Sequence, residues 1–435
     1  MSGPSGVSAV ILAGARTPFV RAFAEMRKVP AKVLAAAAIR EAVARAGVAP
    51  DDVDAVVFGN VAGPADAPNL ARVAALLAGL PESVSAATVN RNCASGLEAI
   101  AEAARLIRIG EAEVVVAGGA ESMSSIPLFF GEEAREIFAA ASRAKSFGRR
   151  LAAISRLRPG HLRPVHGLQI GLTDPCCGLN MGETAEILAD EFAISRDEQD
   201  HFALQSHRDA VAAASKLMEE ITPIFAPGDH GKGALLDADI GPRPAQTLEA
   251  LSRLRPVFDR RHGTITAGNA SPITDGAAAL VLASPERARR AGIPGGPLGA
   301  VRATAAVALA PRRMGLGPAH AIPKVLLRAG LSLTEIDLFE INEAFAAQVI
   351  ACLKALASDR FCREELGLRG ALGEIPRGRL NVNGGAVALG HPVGASGARL
   401  ALTLLMEMRR RQSRFGIASL CVGGGQGMAA VLERM

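Results

Sequence analysis

Short apolar runs alternate along this chain with longer stretches in which apolar residues recur every three or four positions, the pattern of strands interleaved with amphipathic helices. Ala9 to Ala13 reads as a first strand. Arg45-Ala46-Gly47 closes a helical pattern, with Gly just past the helix as its stop signal. Val53 to Asn60 is strand-like. Ala94-Ser95-Gly96 opens a helix that runs through Ile107, and Val114-Val115-Val116-Ala117 follows as a strand ending in Gly118-Gly119. Strand–helix–strand units of this kind predict parallel sheets with right-handed crossovers, and hence an α/β fold.

The pattern occurs twice. Arg328-Ala329-Gly330 and the strand from Ile336 to Asn342 repeat Arg45-Ala46-Gly47 and the strand ending in Asn60. Ala395-Ser396-Gly397 opens a helix through Met408, followed by Ile417 to Cys421 and then Gly423-Gly424-Gly425. In the second half the chain passes directly into Met428-Ala429-Ala430-Val431-Leu432, whereas the matching Ala277 to Leu282 lies far beyond Gly119. An excursion from about 122 to about 253 is therefore predicted within the first half, because insertions are tolerated best at a loop tip. The expected organisation is a first half over 1–290 carrying that inserted loop domain, and a second half over 291–435.

Composition narrows the possible functions. Of 435 residues, 49% are apolar, enough for a large core, and the absence of Tyr and Trp argues against an aromatic platform for nucleic acid. A net charge of +5 is a weak signal for a polyanion, though arginines suit a substrate that carries phosphates. The cysteines at 93, 176, 177, 352, 362 and 421 have neither zinc spacing nor a disulfide framework. A reduced, cytoplasmic setting is expected. Met1 to Val10 lacks the features of a leader, and no apolar run reaches membrane-spanning length. Between Arg143 and Arg163 there are seven Lys or Arg and no acidic residue. This run reads as a solvated face, a docking surface for a partner subunit, an anionic membrane contact or part of a phosphate site.

Three segments can carry chemistry. Cys93 stands where a strand gives way to a helix; unpaired N–H groups and the helix dipole favour a thiolate there. By itself it fits better a small buried cysteine that fills space, since free Cys is among the most buried residue types. His391, between Gly390 and Pro392, is in a loop where backbone can approach a ligand, and a neutral imidazole can take a proton from a thiol. Cys421 ends a strand and enters Gly423-Gly424-Gly425-Gln426-Gly427, whose bare amides can hold an oxyanion. A phosphate loop would need a Lys-Ser/Thr ending, and a dinucleotide loop would precede a helix. Asn342 can hold a water or a carbonyl, or can serve a turn. Cys93 and the His391 loop occupy like positions in the two repeats, at strand ends where open α/β sheets bind ligands.

Together these segments resemble the thiolase family over nearly the whole chain. The resemblance begins at Gly14-Ala15-Arg16-Thr17-Pro18-Phe19 and continues through Met181-Gly182-Glu183-Thr184-Ala185-Glu186, Arg255-Pro256-Val257-Phe258-Asp259, Thr266-Ala267-Gly268-Asn269-Ala270-Ser271 and Asn342-Glu343-Ala344-Phe345. It implies two duplicated βαβαβαββ halves in a layered α/β/α/β/α arrangement. It implies ping-pong acyl transfer between 3-oxoacyl-CoA and CoA, or the reverse condensation. Cys93 corresponds to the nucleophile, His391 to its base, and Cys421 to the second acid/base. Asn342 corresponds to the holder of an oxyanion-hole water shared with His391. The N–H groups of Cys93 and Gly423 correspond to the other oxyanion hole. Met181, Phe258, Ala267, Ser271, Ala344 and Phe345 correspond to positions that line the CoA tunnel. No cofactor or metal is implied, since coenzyme A is a substrate. The implied partners are a second copy of the chain, as dimer or dimer of dimers, and a hydratase/dehydrogenase subunit, with no nucleic acid and no transmembrane segment.

Extra length at 125–180 and Ser358–Pro376, with Arg260-Arg261-His262-Gly263, is similar to thiolase subunits of fatty-acid-oxidation complexes. Those subunits often have His where this chain has Asn342, and short-chain enzymes commonly have His where it has Asn180. An acetoacetyl-CoA-specific acetyltransferase and a non-catalytic lipid-binding or scaffold subunit are the alternatives. A decarboxylating ketosynthase would need a second histidine where Cys421 stands.

Overall fold

The computed structural model describes residues 9–229, 232–290, 293 and 295–435. The reading of Met1 to Ser8 lies outside them, as does the half boundary at 291. In chain order the first half contributes β1 (Ala9–Arg16), α1 (Ala31–Ala46), β2 (Ala55–Gly59), α2 (Leu70–Ala78), β3 (Ser85–Val89), α3 (Ser95–Arg108), β4 (Val114–Ser122) and β5 (Thr274–Ala283). The second contributes β6 (Gly299–Ala308), α4 (Gly317–Ala329), β7 (Leu338–Ile341), α5 (Ala346–Ala357), α6 (Val393–Arg411), β8 (Phe415–Val422) and β9 (Gln426–Glu433). The predicted repeat is therefore present, except that the second-half counterpart of β3 is reduced to an isolated bridge between Phe339 and Leu380.

Among the described residues these strands belong to one ten-stranded mixed sheet, in the order β7-β8-β9-β6-β1-β5-β4-β2-β3, with the short strand Val20–Arg21 paired to β5. The crossovers pair β2 with β3 and β4, and β7 with β8, in parallel, as the sequence predicts. The halves join where Ala9 to Ile11 pairs antiparallel with Gly299 to Val301.

Alternation along the strands sorts side chains to the two faces. Along β5, Ala277, Ala279, Val281 and Ala283 join a core that contains Leu34 and Ile39 of α1 and Leu70 of α2. Ala278, Leu280 and Leu282 face the other way, onto Leu97 and Ile100 of α3 and Leu400 and Leu404 of α6. Leu420 and Leu432 of β8 and β9 reach that same central core from the second half. Their neighbours Ile417 and Val431 turn to Ile322 of α4 and Val349 of α5. Outer helices, strands, central helices, strands and outer helices thus form the expected layers. The central helices cross very closely. A Cβ on Gly96 would lie 2.8 Å from the amide nitrogen of Ala398, and one on Gly397 would strike the backbone nitrogen of Leu97.

The excursion leaves β4 and returns to β5 at positions that face each other, Ser122 opposite Asp275. Residues 126–173 form a compact unit of their own, in which Leu128–Phe130 pairs with Pro164–His166 beside the helices Glu132–Arg143 and Phe147–Ile154. Residues 174–273 pack with the main body. Arg16, fully buried in β1, meets Glu220 at 2.8 Å and Asp239 at 2.7 Å, and Thr403 of α6 donates to Glu220 at 2.9 Å. A buried charge of this kind needs that full set of partners.

Candidate active site

Cys93 sits in the tight turn between β3 and α3. Asn92 takes a left-handed conformation, φ 44°, which a non-glycine residue adopts only when its surroundings hold it there. Three contacts do so. The Asn92 N–H donates to the Asn90 side chain at 2.9 Å, Ser95 Oγ accepts from the Arg91 N–H at 2.9 Å, and the same hydroxyl donates to the Asn92 carbonyl at 2.7 Å. The Asn92 amide then donates to the carbonyl of Gly423 at 2.7 Å. The strand-to-helix turn and the glycine-rich turn after β8 are thereby tied together.

That tie brings the glycine turn near enough for the backbone N–H of Gly423, with that of Cys93 itself, to favour the Cys93 thiolate. Cys421, one strand residue before the glycine turn, is buried and lies close enough for the Cys93 charge to act on it. Both thiols are pushed above the ordinary cysteine range, chiefly by burial. This corrects the expectation that the helix terminus would lower the pKa of Cys93. The N–H donors do pull it down, but desolvation outweighs them. Cys93 keeps partial exposure, whereas Cys421 has almost none.

His391 is buried just ahead of α6. Its Nδ1 lies 2.6 Å from Ser396 Oγ, and that hydroxyl donates its own hydrogen to the Pro392 carbonyl at 3.0 Å. Ser396 must therefore accept from Nδ1–H, which leaves Nε2 as the unprotonated, accepting nitrogen. Nε2 faces the side-chain amide of Asn342 at 3.4 Å. Burial, with Arg399 nearby, pushes the imidazole pKa down to about 3, so the ring is neutral through the physiological range. Asn342 follows β7, its N–H donating to Ser419 of β8 at 2.9 Å, and its buried Oδ1 has no protein partner among the described residues.

The expected tunnel residues largely converge. The Met181 sulfur would lie 3.3 Å from a Cβ on Gly423. Phe258 meets Phe345 edge-on with ring centroids 6.1 Å apart. The Ser271 N–H donates to the Ala344 carbonyl at 3.0 Å, and Phe345 bridges to Ala270. Ala267 is exposed, in a turn that the Asn269 N–H closes on the Thr266 carbonyl. Asn180 caps the helix that Met181 begins, accepting from the Gly182 N–H at 3.0 Å.

Two carboxylates went unnoticed in the sequence. Glu343, inside the Asn-Glu-Ala-Phe segment, accepts from Ser206 at 2.6 Å, Asn381 at 2.8 Å and the Val387 N–H at 3.1 Å. Glu121 accepts from the Gly394 N–H at the start of α6, at 3.1 Å. The signal available for both was an acidic residue set in an otherwise apolar, strand-ending run. Among the described residues no group of three or more His, Cys, Asp or Glu could hold a metal ion. Among them, too, no helix is long and apolar enough to cross a membrane.

A duplicated layered α/β fold, with two thiols and a neutral imidazole carried on its matching turns, defines an acyltransferase of the thiolase type. The chain belongs to that family: the models for the thiolase N-terminal and C-terminal domains match residues 9–286 and 296–434. It is 41% identical over 425 residues to the 3-ketoacyl-CoA thiolase of Pectobacterium carotovorum subsp. carotovorum (strain PC1), covering 97% of this chain and 95% of that one. Among solved structures it is similar to the Bacillus anthracis acetyl-CoA acetyltransferase, with a TM-score of 0.85, 39% identity and full coverage of both chains. It is also similar to human mitochondrial 3-ketoacyl-CoA thiolase, with a TM-score of 0.83 and 36% identity over 98% of this chain and 99% of that one.

Proposed function

We propose that this enzyme cleaves 3-oxoacyl-CoA with coenzyme A, and runs the reverse condensation, through an acyl group carried on Cys93. The observation that carries this reading is the Asn92 bond to Gly423, which ties the turn bearing Cys93 to the turn that follows Cys421. In this scheme His391 takes the Cys93 proton at Nε2 and the sulfur attacks the 3-oxo carbon. The bond between the second and third carbons breaks, and its electron pair passes to the acetyl-CoA enolate, which Cys421 protonates. The N–H groups of Cys93 and Gly423 hold one developing oxyanion; Asn342, through a water, and His391 hold the other. The coenzyme A thiol then gives its proton to the Cys421 thiolate and attacks the acyl-cysteine; Cys93 leaves, recovers its proton from His391, and the shortened acyl-CoA is released. Coenzyme A is thus a substrate, not a resident cofactor. The pantetheine arm runs past Met181, Phe258, Ala267, Ser271, Ala344 and Phe345.

We assign a homodimer joined at β3. This strand ends the sheet, and its residues Ser85 to Val89 are partly or fully exposed, leaving one edge for another strand to pair with. A hydratase/dehydrogenase subunit is the partner assigned to the basic run. Arg149, Arg150, Arg156 and Arg158 are all exposed there beside Phe147, Leu151 and Ile154. Reversing those four charges is expected to abolish co-purification with such a subunit; retention at the wild-type level removes the assignment. The lack of disulfide or zinc spacing favours a cytoplasmic setting.

The deciding assay follows the loss of the Mg²⁺ complex absorbance of 3-oxoacyl-CoA on adding coenzyme A, over a series from acetoacetyl-CoA to long chains. Turnover throughout supports the broad thiolase reading. Turnover of acetoacetyl-CoA alone moves the assignment to a short-chain acetyltransferase. None with any substrate leaves a binding or scaffold subunit.

A further inference from the structure

Glu121 is the penultimate residue of β4, a strand buried along its whole length, and is itself fully buried. Its oxygens receive four donors: the N–H of Val61 at 3.0 Å and of Gly394 at 3.1 Å on Oε2, and the N–H of Ala62 at 3.0 Å and the amide of Asn60 at 3.0 Å on Oε1. A protonated carboxyl would add a hydrogen opposite one of these donors, so the donor set selects the carboxylate. Burial works against it and pushes the pKa up to about 7, with the N–H donors pulling the other way.

The donors come from both halves of the site. Val61 and Ala62 leave the end of β2, where Gly59 is pressed onto α3; a Cβ there would lie 2.5 Å from the carbonyl carbon of Ser95, in the first turn after Cys93. Gly394 is in the first turn of α6, directly after the His391 loop. It has no room for a side chain, since a Cβ would lie 2.8 Å from both the Ala120 carbonyl oxygen and Glu121 Oε2. One carboxylate therefore joins the first turn of α6 to the end of β2, which itself packs on the first turn of α3.

The internal duplication explains how it came to stand there. Gly59 is opposite Gly119 in the β2–β4 ladder, and Ile341 is opposite Ser419 in the β7–β8 ladder. Asn60 and Asn342 come next, so Glu121 is the counterpart of Cys421. The shared Ala-Ser-Gly makes Gly394 the counterpart of Cys93. Where one half sets a thiol near a thiol, the other sets a carboxylate against a glycine N–H.

We propose that Glu121 is a positioning residue for the reaction: its carboxylate latches the first turn of α6 and so fixes the direction in which His391 Nε2 points. This rests on the role of base proposed for His391. The Glu121 charge opposes ionisation of the Cys93 thiol, and the Cys93 charge in turn opposes that of Cys421.

Glu121→Gln tests the latch, because a glutamine must turn its NH₂ against two of the four donors whichever way it faces. In the full-length enzyme kcat is expected to fall about 100-fold, the scale of a misplaced catalytic group, with KM for 3-oxoacyl-CoA nearly unchanged. The pH midpoint for alkylation of Cys93 by iodoacetamide is expected to move down, a shift that mere loosening of the fold would not produce. Asn60→Ala removes one donor and keeps the carboxylate; about a tenfold loss of kcat is expected with the melting temperature held. Wild-type kcat in Glu121→Gln, or an unmoved alkylation midpoint, overturns the proposal. Should that variant not fold, wild-type kcat in Asn60→Ala does so. An inactive wild type would instead strike at the acyl-transfer reading itself.

Discussion

The side-chain amide of Asn92 donates to the carbonyl of Gly423 at 2.7 Å, and through that one bond the turn bearing the first sulfur holds the turn that follows the second. Two segments far apart in sequence thereby share a single geometry. Replacing Asn92 by Gly separates the tie from the backbone strain, since glycine accepts the left-handed φ without cost. Asn92→Gly is expected to fold normally and to lose about tenfold in kcat, the scale of one hydrogen bond. Full activity in steady-state assays would mean that the glycine turn holds its place unaided.

The acyl carrier is tested directly by Cys93→Ala. Turnover is expected to fall by roughly 10⁴-fold or more, as for loss of a nucleophile, and intact-protein mass spectrometry after incubation with 3-oxoacyl-CoA is expected to find no acyl adduct. An adduct mapped to Cys421 or any other residue would refute the assignment.

Cys421→Ser separates the two chemical steps. Carbon–carbon cleavage needs a proton delivered to the enolate, whereas exchange of an acyl group between thioesters does not. The cleavage rate is expected to drop by about 100-fold, the scale of a lost acid/base, and to drop more than the exchange rate measured with labelled coenzyme A. Equal slowing of both would contradict the role.

The resting protonation states are open to pH measurement. Burial raises both thiols and holds His391 near 3, so the resting pair is thiol and neutral imidazole, not thiolate and imidazolium. Raising a thiol pKa lowers its thiolate fraction at every pH below that value. The rate of Cys93 alkylation is therefore expected to keep climbing beyond pH ~9, above the ordinary cysteine range. A plateau across neutral pH would reveal a preformed ion pair.

Much of the architecture was legible in the chain, for identifiable reasons. Strand alternation and the glycine stops after α1 and α4 made the repeat visible, and the repeat gave Cys93 and the His391 loop like positions in the two halves. The acidity of Cys93 was not legible, because a helix terminus can be read from sequence whereas the desolvation that outweighs it depends on packing. Glu121 was missed since its partners are mostly backbone N–H groups, which leave no trace in residue type, and Glu343 since its side-chain partners Ser206 and Asn381 are distant in sequence. The packing of 174–273 against the body, secured in part by Arg16, Glu220 and Asp239, rests on contacts between residues some two hundred positions apart.

Ser122 and Asp275 stand side by side in the ladder, so the long excursion departs and re-enters within one strand spacing, about 4.8 Å. Evolution can lengthen, trim or redecorate what lies between them without altering the register of any strand beneath. Cys93, His391 and Cys421 lie outside that excursion, whereas Met181, Phe258, Ala267 and Ser271 lie within it. A family built this way can change its clientele while leaving its chemistry alone.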